Sequence, residues 1–344
     1  MGTQNKKAMR TSPWNWTDAG HLVARAAEAV NWDVSDVDGF AKRVQSIDYG
    51  LSAETEFSAI LAWLGRCSLV HRLDQECFSS HRSDNWKIPD LVSIFDHAGV
   101  RLTALIEVKT TARERLRFAT SYLSSMQRYA SAMRTPLLIA WKPRRLGFWL
   151  LVDPAHAASD GEKLTLSIET AMKNNLFSAV AGDFLVELEP NAGLFIDANV
   201  IETTRRTKTG SEVRAQVTNA EFRDANGNSA RNVPGALVAL ILSRMKMVDH
   251  VAEDRLTKSF VTTDEPVFAQ QVLRTAVALR HGAAGPIRWR HVARDMESYL
   301  SYEDLNDAIT ERFGTFVRYQ FFLQPQMWPD FVPAAWRSVS RGAN

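Results

Sequence analysis

Two short charged motifs set inside apolar segments constrain this chain more than any other feature. Residues 88–92 have the sequence Ile-Pro-Asp-Leu-Val, and residues 104–110 have the sequence Ala-Leu-Ile-Glu-Val-Lys-Thr. Each segment has the length and apolar content of a buried strand, and the sequence Asp-His-Ala-Gly at 96–99 predicts a hairpin turn between them. The pattern therefore predicts two neighbouring strands that carry charges into an otherwise apolar sheet.

The charged side chains of these motifs are expected to converge. Side chains alternate along a strand, so Glu107 and Lys109 face one way and Val108 the other, while Asp90 begins the neighbouring strand. Buried charges need a partner or a metal ion, and two neighbouring carboxylates stay ionised together only with a cation between them. Oxygen ligands on a divalent ion beside a lysine favour phosphodiester hydrolysis. The ion polarises the phosphate, and the lysine steadies the nucleophile or the developing charge.

Pro89-Asp90, sixteen intervening residues and then Glu107-Val108-Lys109 resemble the signature of the PD-(D/E)XK nuclease superfamily. The resemblance implies an α/β fold with a restriction-endonuclease-like mixed sheet flanked by helices. It also implies a metal-dependent endonuclease in which Asp90, Glu107 and the Val108 carbonyl hold Mg²⁺ or Mn²⁺. Lys109 would orient or activate the water. The implied substrate is nucleic acid, with DNA favoured over RNA.

Flanking segments extend the resemblance to roughly residues 50–152. The sequence Gly-Leu-Ser-Ala-Glu at 50–54 opens a helix, much as a glutamate-bearing helix opens the core of archaeal Holliday-junction resolvases in this superfamily. Gln127 lies on a predicted helix that leads into a strand at 135–142. By this resemblance, Glu54 and Gln127 are auxiliary catalytic residues.

A second acid, Glu56, stands close to Glu54 on the same predicted helix. A separation of two residues corresponds to about 200° around a helix, so the two carboxylates face different ways. Glu54 shares its side with Phe57 and Leu61, which are expected to pack on the sheet, while Glu56 shares its side with Ile60. We expect Glu54 to matter for cleavage and the substitution Glu56→Gln to be nearly silent.

Two other interpretations of the charged motifs stay open. In one, the chain keeps the nuclease fold as a catalytically silent nucleic-acid-binding or assembly module, which the intact Asp, Glu and Lys set disfavours. In the other, Asp90 or Glu107 forms a strand-end ion pair with Lys109 and binds no metal. A P-loop and a Gly-x-Ser-x-Gly motif are both absent from the sequence, so no ATPase or serine-hydrolase interpretation competes.

Basic residues concentrate around the two motifs. Between Arg101 and Arg145 there are ten Lys or Arg against two Glu, a local balance of +8, in a chain whose formal net charge is +2. Basic groups beside a metal site suit a polyanion, because phosphate contacts supply most of the non-specific affinity for nucleic acid. The predicted nucleic-acid-binding residues are Arg113, Arg115, Arg117, Arg128, Lys142, Arg144 and Arg145.

The chain is long enough for more than one domain. Its 344 residues, of which 45% are hydrophobic, predict a nuclease core at 50–153 that follows an N-terminal helical extension at 1–49. A β-rich module is predicted at 154–232 and a helical region at 233–344. The predicted helix Tyr302–Arg312 has the position of a winged-helix recognition helix but is acidic. A protein partner or a homodimer contact is therefore favoured for the C-terminal region over insertion into a DNA groove.

Cysteine usage and apolar runs predict a soluble cytoplasmic protein. Two cysteines are too few for a disulfide framework. The longest strongly apolar run, Ala236–Leu242, is too short to span a bilayer, and the polar, basic start of the chain does not resemble a signal peptide. Cys67, His71, Cys77 and His81 have a spacing that admits zinc. That interpretation is disfavoured, because Cys67 is predicted to close a helix and His71 to lie in a strand.

Overall fold

The computed structural model describes residues 53–74, 86–97, 99–207, 210–251, 255–281, 287, 289–322 and 332–336. The predicted extension at 1–49 lies outside these residues, as do Cys77 and His81 of the candidate zinc spacing. Within them, no helix combines the length and the apolar character needed to cross a bilayer.

The strands and helices are numbered in chain order. The strands are β1 (Cys67–Arg72), β2 (Leu91–His97), β3 (Val100–Thr111), β4 (Arg115–Ala119), β5 (Leu137–Pro143), β6 (Leu150–Val152), β7 (Ala158–Ser159), β8 (Lys163–Ser167), β9 (Phe184–Leu188), β10 (Gly193–Thr207), β11 (Gly210–Arg223), β12 (Ser229–Ala230), β13 (Met245–Val251), β14 (Arg255–Thr262), β15 (Val267–Phe268) and β16 (Val317–Phe322). The helices are α1 (53–63), α2 (Thr120–Ala132), α3 (Ile168–Lys173), α4 (Phe177–Ala181), α5 (Gly235–Ser243), α6 (Ala269–His281), α7 (Trp289–Arg294) and α8 (Tyr302–Glu311).

A five-stranded mixed sheet with the order β1-β2-β3-β5-β6 carries the two motifs. Strands β1, β2 and β3 are antiparallel neighbours, β3 is parallel to β5, and β6 is antiparallel to β5. A parallel pair needs a crossover connection, which contains α2. Gly99 turns the chain between β2 and β3 with a φ of +81°, a left-handed conformation that glycine adopts without steric cost. The predicted α/β class is confirmed, and the sheet with its flanking helices is consistent with a restriction-endonuclease-like fold.

Side chains of β3 alternate between two apolar layers. Ile106 and Val108 lie in the layer that includes Phe57 of α1. Leu105 lies in the opposite layer, which includes Met126 of α2. The charged residues of β3 follow Leu105 at intervals of two and therefore lie on the α2 side of the sheet.

The β-rich module is larger than the sequence indicated. Its five antiparallel strands have the order β12-β11-β10-β14-β13. Strands β13 and β14 lie beyond the predicted boundary at residue 232, in a region predicted to be mainly helical. Strands β13 and β14 pair with each other, and β14 also pairs with β10. Because β10 is distant in sequence, the local pattern of this segment does not show that second pairing.

The C-terminal helices share an apolar core with the motif-bearing sheet. Leu237, Leu273 and Leu305 lie in the same buried cluster as residues of α1. The indole N–H of Trp63 in α1 donates to the carbonyl of Leu300 at 2.7 Å. Two smaller sheets, β15-β9-β16 and β4-β8-β7, complete the architecture described for residues 53–336. These elements form one packed unit.

Candidate active site

Asp90 lies directly before β2, beside the middle of β3. The pairing of Leu91 with Ile106 places Asp90 next to Glu107. One oxygen of Asp90, Oδ2, accepts a hydrogen bond from the backbone N–H of Val108 at 2.7 Å. Burial, followed by repulsion from the Glu107 carboxylate, raises the pKa of Asp90 to about 7, against the opposing effect of a nearby ammonium.

Glu107 is the most deeply buried acid of this group, with 1% of its surface exposed. Its Oε1 accepts hydrogen bonds from the ammonium of Lys109 and from the hydroxyl of Tyr122, the latter at 2.7 Å. The ammonium of Lys109 also donates to the carbonyl of Val108 at 3.2 Å and lies 3.9 Å from Oδ2 of Asp90. A single ammonium therefore bridges both carboxylates.

This set of oxygen atoms fits a divalent cation. The carboxylates of Asp90 and Glu107 and the carbonyl of Val108 surround one positive charge. A single ammonium balances only one of the two carboxylates, and burial together with the repulsion that remains raises the pKa of Asp90. Carboxylate and carbonyl oxygens are the ligands that Mg²⁺ and Mn²⁺ prefer. In the described part of the chain, no three His, Cys, Asp or Glu side chains cluster as a metal site, so an ion here would depend on two carboxylates and a carbonyl.

Glu54 lies close to this group on α1. Its Oε2 is 2.6 Å from Nη2 of Arg72, at the end of β1. The charge of Glu54 is among the causes that raise the pKa of Asp90, so the two carboxylates interact electrostatically. The structure thus brings Glu54 together with Asp90, Glu107 and Lys109.

Glu56 and Lys142 form a separate buried ion pair. Glu56 is 5% exposed and contacts the ammonium of Lys142, and its Oε1 lies 3.3 Å from Nε of Arg274. The same ammonium is 5.2 Å from the ring centroid of Trp149. Burial lowers the pKa of Lys142 even though a carboxylate lies beside it. Lys142 is therefore not part of the exposed basic surface predicted from the sequence, because β5 directs its side chain toward α1.

Helix α2 contributes a tyrosine to the site in place of the predicted glutamine. Tyr122 reaches Glu107 from the first turn of the helix. Gln127 is five residues further along, about 140° around the helix, and its side chain is exposed. The structure does not bring Gln127 to the carboxylates, and its predicted auxiliary role has no geometric support.

Three of the predicted basic residues lie on β4 or just before it. Arg113, Arg115 and Arg117 are all exposed. Arg115 and Arg117 alternate along β4 with Leu116 and Phe118, which are buried in the α2 layer. The two arginines therefore share the outer face of that strand.

The other predicted basic residues are exposed and differ in their contacts. Arg128 donates from Nη2 to Oγ of Ser125 at 3.1 Å. Arg145 forms an ion pair with Glu114 at 2.6 Å. Arg144 is exposed beside it in the turn after β5. These residues stay candidates for contact with a polyanion.

Sequence reasoning missed three residues that lie at or beside this group of charges. They are Tyr122, Arg72 and Lys87. The ammonium of Lys87 lies 4.5 Å from the ring centroid of Tyr122. Tyr122 and Arg72 have no fixed spacing to the two motifs that could serve as a signal, and Lys87, although it directly precedes the first motif, has no local feature that marks it. They approach the carboxylates only because α2, β1 and the segment before β2 pack together.

Comparison with known proteins gives only a weak structural likeness to report. No protein-family model matches the chain, and no curated protein matches it. Among solved structures, Archaeoglobus fulgidus Hjc, a Holliday junction resolvase from an archaeal hyperthermophile, is 16% identical with a TM-score of 0.25. The match covers 30% of this chain and 78% of that chain. At this TM-score the likeness is too weak to support a function.

Proposed function

We propose that this protein is a metal-dependent nuclease that hydrolyses phosphodiester bonds, with DNA as its substrate. The observation that supports the proposal is the group formed by Asp90, Glu107 and the Val108 carbonyl around the ammonium of Lys109. Burying two adjacent carboxylates costs free energy unless a cation compensates them. Such an arrangement is typical of sites that handle phosphate through a divalent ion.

In this proposal, Asp90, Glu107 and the Val108 carbonyl hold Mg²⁺ or Mn²⁺, which when bound polarises a phosphate and lowers the pKa of water. Lys109 has three N–H donors, of which Glu107 and Val108 take two. The third donor is available to orient the attacking water or to balance the charge that develops on the phosphate. Arg72 fixes the carboxylate of Glu54 at the edge of the site.

A basic face beside the site supports nucleic acid as the substrate. Strand β8 pairs with β4 so that Ala119 lies opposite Lys163 and Arg117 opposite Thr165. Lys163 therefore joins Arg115 and Arg117 on the outer side of the small sheet, and we call these three residues the basic face. Their exposed charges suit phosphate contacts that are independent of sequence.

The proposal is tested by cleavage assays with linear, circular, branched and single-stranded DNA, and with RNA, in Mg²⁺, Mn²⁺ or EDTA. We expect cleavage to require the divalent ion and to fall at least about a hundredfold in Asp90→Asn, Glu107→Gln and Lys109→Met. Asp90→Asn should not lower the melting temperature, because it removes a buried charge and keeps an oxygen for the Val108 N–H.

Asp96→Asn serves as a matched control. Asp96 is an exposed acid on the same hairpin, and it forms an ion pair with Arg101. If all three site variants cut like the wild type, the proposed site is wrong. If the wild type binds DNA and cuts none of the substrates, the chain is a silent binding module with the same fold.

A further inference from the structure

Helix α2 has a second stripe of residues beside the one that packs on the sheet. Tyr122, Ser125 and Tyr129 follow one another at helical spacing, and the segment before β2 lies along them. The rings of Trp86 and Tyr129 make an edge contact with centroids 6.3 Å apart. The backbone N–H of Lys87 donates to the carbonyl of Ser125 at 3.5 Å. The segment that carries Asp90 into the site is thus tied to α2 over two turns.

Tyr122 makes two different contacts at one end of this stripe. Its hydroxyl donates to Oε1 of Glu107 at 2.7 Å, and its ring lies under the ammonium of Lys87 at 4.5 Å. The phenol is the donor in this contact, because the carboxylate oxygen can only accept. One side chain therefore links a buried carboxylate of the site to an exposed cation.

The two hydrogen-bond donors that contact Glu107 bond to the same carboxylate oxygen. Tyr122 and Lys109 both reach Oε1, and in the part of the chain that the structure describes no hydrogen bond to Oε2 is formed. The carboxylate is thereby fixed in orientation with one oxygen left for another ligand. Groups that orient a metal-binding side chain in this way typically change metal affinity or activity about 10–100-fold when they are removed.

We propose that Tyr122 and Lys87 are parts of the active site, and this inference rests on the proposed nuclease function. Tyr122 is a positioning residue that holds Glu107 for the divalent ion and seats Lys87 on its ring. Lys87 contacts the substrate phosphate. Its side chain is exposed, and within the described residues no carboxylate pairs with it, so its charge is available to an anion that approaches the carboxylates.

Four variants separate the two roles. Tyr122→Phe removes the hydroxyl and keeps the ring, while Tyr122→Leu removes both. Lys87→Gln removes the charge and Lys87→Arg restores it. Tyr129→Phe is the matched control, because Tyr129 lies on the same stripe and contacts Trp86.

Three experiments use the full chain. Calorimetry gives the Mn²⁺ affinity, and binding in Ca²⁺ gives the affinity for a labelled DNA duplex and four-way junction. Cleavage kinetics in Mg²⁺ give kcat and KM. Tyr122→Phe should weaken Mn²⁺ binding and lower kcat by about 10-fold or more with little change in KM. Lys87→Gln should weaken DNA binding and raise KM by about 5- to 10-fold, and Lys87→Arg should recover most of it.

Double variants test whether the two residues act as a unit. The effect of Lys87→Gln on DNA affinity should be the same in wild type and in Tyr122→Phe, and should be largely absent in Tyr122→Leu, because only that variant removes the ring. Equal Mn²⁺ and DNA affinities in wild type, Tyr122→Phe and Lys87→Gln would overturn the inference. The inference would also be overturned if Tyr129→Phe lost as much Mn²⁺ affinity and kcat as Tyr122→Phe.

The failure of the proposed function has a different signature. A wild-type protein that binds DNA and Mn²⁺ but never cleaves overturns the nuclease proposal, while the two affinity measurements still decide the roles of Tyr122 and Lys87. A wild-type protein that binds neither DNA nor Mn²⁺ overturns both.

Discussion

Glu54 and Glu56 are two residues apart on one helix and have opposite surroundings. Glu54 is paired at the edge of the site with the partly exposed Arg72. Glu56 is buried between Lys142 and Arg274. Helical geometry predicts that the two acids face different ways, but it does not predict that the second one meets a buried lysine from β5. The expectation that Glu56→Gln is nearly silent is therefore replaced by a prediction about stability.

Glu56→Gln should destabilise the protein by about 3 kcal/mol, because it leaves the buried ammonium of Lys142 without its counter-charge. The measurement is the midpoint of urea unfolding. The double variant Glu56→Gln with Lys142→Met should recover most of the lost stability. Burial disfavours the charge of Lys142 and lowers its pKa, and Lys142→Met removes that charge. Glu54→Gln, the matched control, should keep its stability and lose cleavage at least about tenfold. Equal stability of the two single variants would contradict this assignment.

Asp183 gives a pH-dependent prediction far from the two motifs. It is 1% exposed, and burial raises its pKa from 3.8 to about 7 although N–H groups of Gln270 donate to both of its oxygens. The folded state thus holds a proton that the unfolded state has lost above pH 4. The contribution of Asp183 to stability is complete below about pH 4 and is lost as the pH rises through about 7, at up to about 1.4 kcal/mol per pH unit.

The test compares wild type with Asp183→Asn, which imitates the protonated acid, by urea unfolding between about pH 5 and pH 8. The wild type should lose stability relative to the variant as the pH rises. Two parallel pH profiles would show that Asp183 is ionised in the folded state across this range.

At the scale of elements, helix α2 packs against both the sheet and the segment that precedes β2. Leu123 and Met126 pack toward the sheet, and Tyr122 and Tyr129 contact the segment at 86–89. Only the first of these stripes has a clear hydrophobic period in the sequence, because the second consists of amphipathic tyrosines. Tyr122, which meets β3, was therefore missed, and the family resemblance pointed instead to the exposed Gln127.

The basic face of β4 and β8 yields a prediction about binding. Changing Arg115, Arg117 and Lys163 to Gln in one variant should weaken DNA binding, with little dependence on DNA sequence. The slope of log K against log salt concentration should become less steep by up to about 2.7. The control replaces three exposed cations of the C-terminal region, Arg290, Arg294 and Lys246. A larger loss in the control would place the DNA-binding surface in that region instead.

At the scale of the whole molecule, one of the two apolar layers of the predicted nuclease core is shared with residues that follow position 153. Phe57 of α1 packs against Phe177, with ring centroids 5.8 Å apart, and Trp63 is bonded to Leu300. Removing everything after residue 153 would expose this apolar layer to water.

The fragment comprising residues 50–153 should therefore fail to fold, whereas the full chain should unfold with β3 and α6 in one cooperative step. Circular dichroism of the fragment and hydrogen exchange of the full chain check the two halves of this prediction. A fragment with native-like exchange protection in β3 would show that the layer from the C-terminal region is dispensable.

The sequence by itself determined the local arrangement of the site. Alternation along a strand placed Glu107 and Lys109 on one face, and a hairpin turn at 96–99 placed Asp90 beside them. Both inferences depend on geometry within a few residues, which composition and period specify. The antiparallel pairing of β2 with β3 follows from the same local information, whereas the mixed sheet was implied by the family resemblance.

Only the tertiary structure decided which distant side chains complete the site and which leave it. Tyr122 reaches Glu107 and its ring lies against the ammonium of Lys87, and Lys142 turns inward to Glu56, through contacts between segments that are far apart in the chain. The pairing of β14 with β10 was likewise invisible beforehand. Such contacts depend on how whole layers pack, and the free energy of burial that selects them is non-directional and leaves no local period in the sequence.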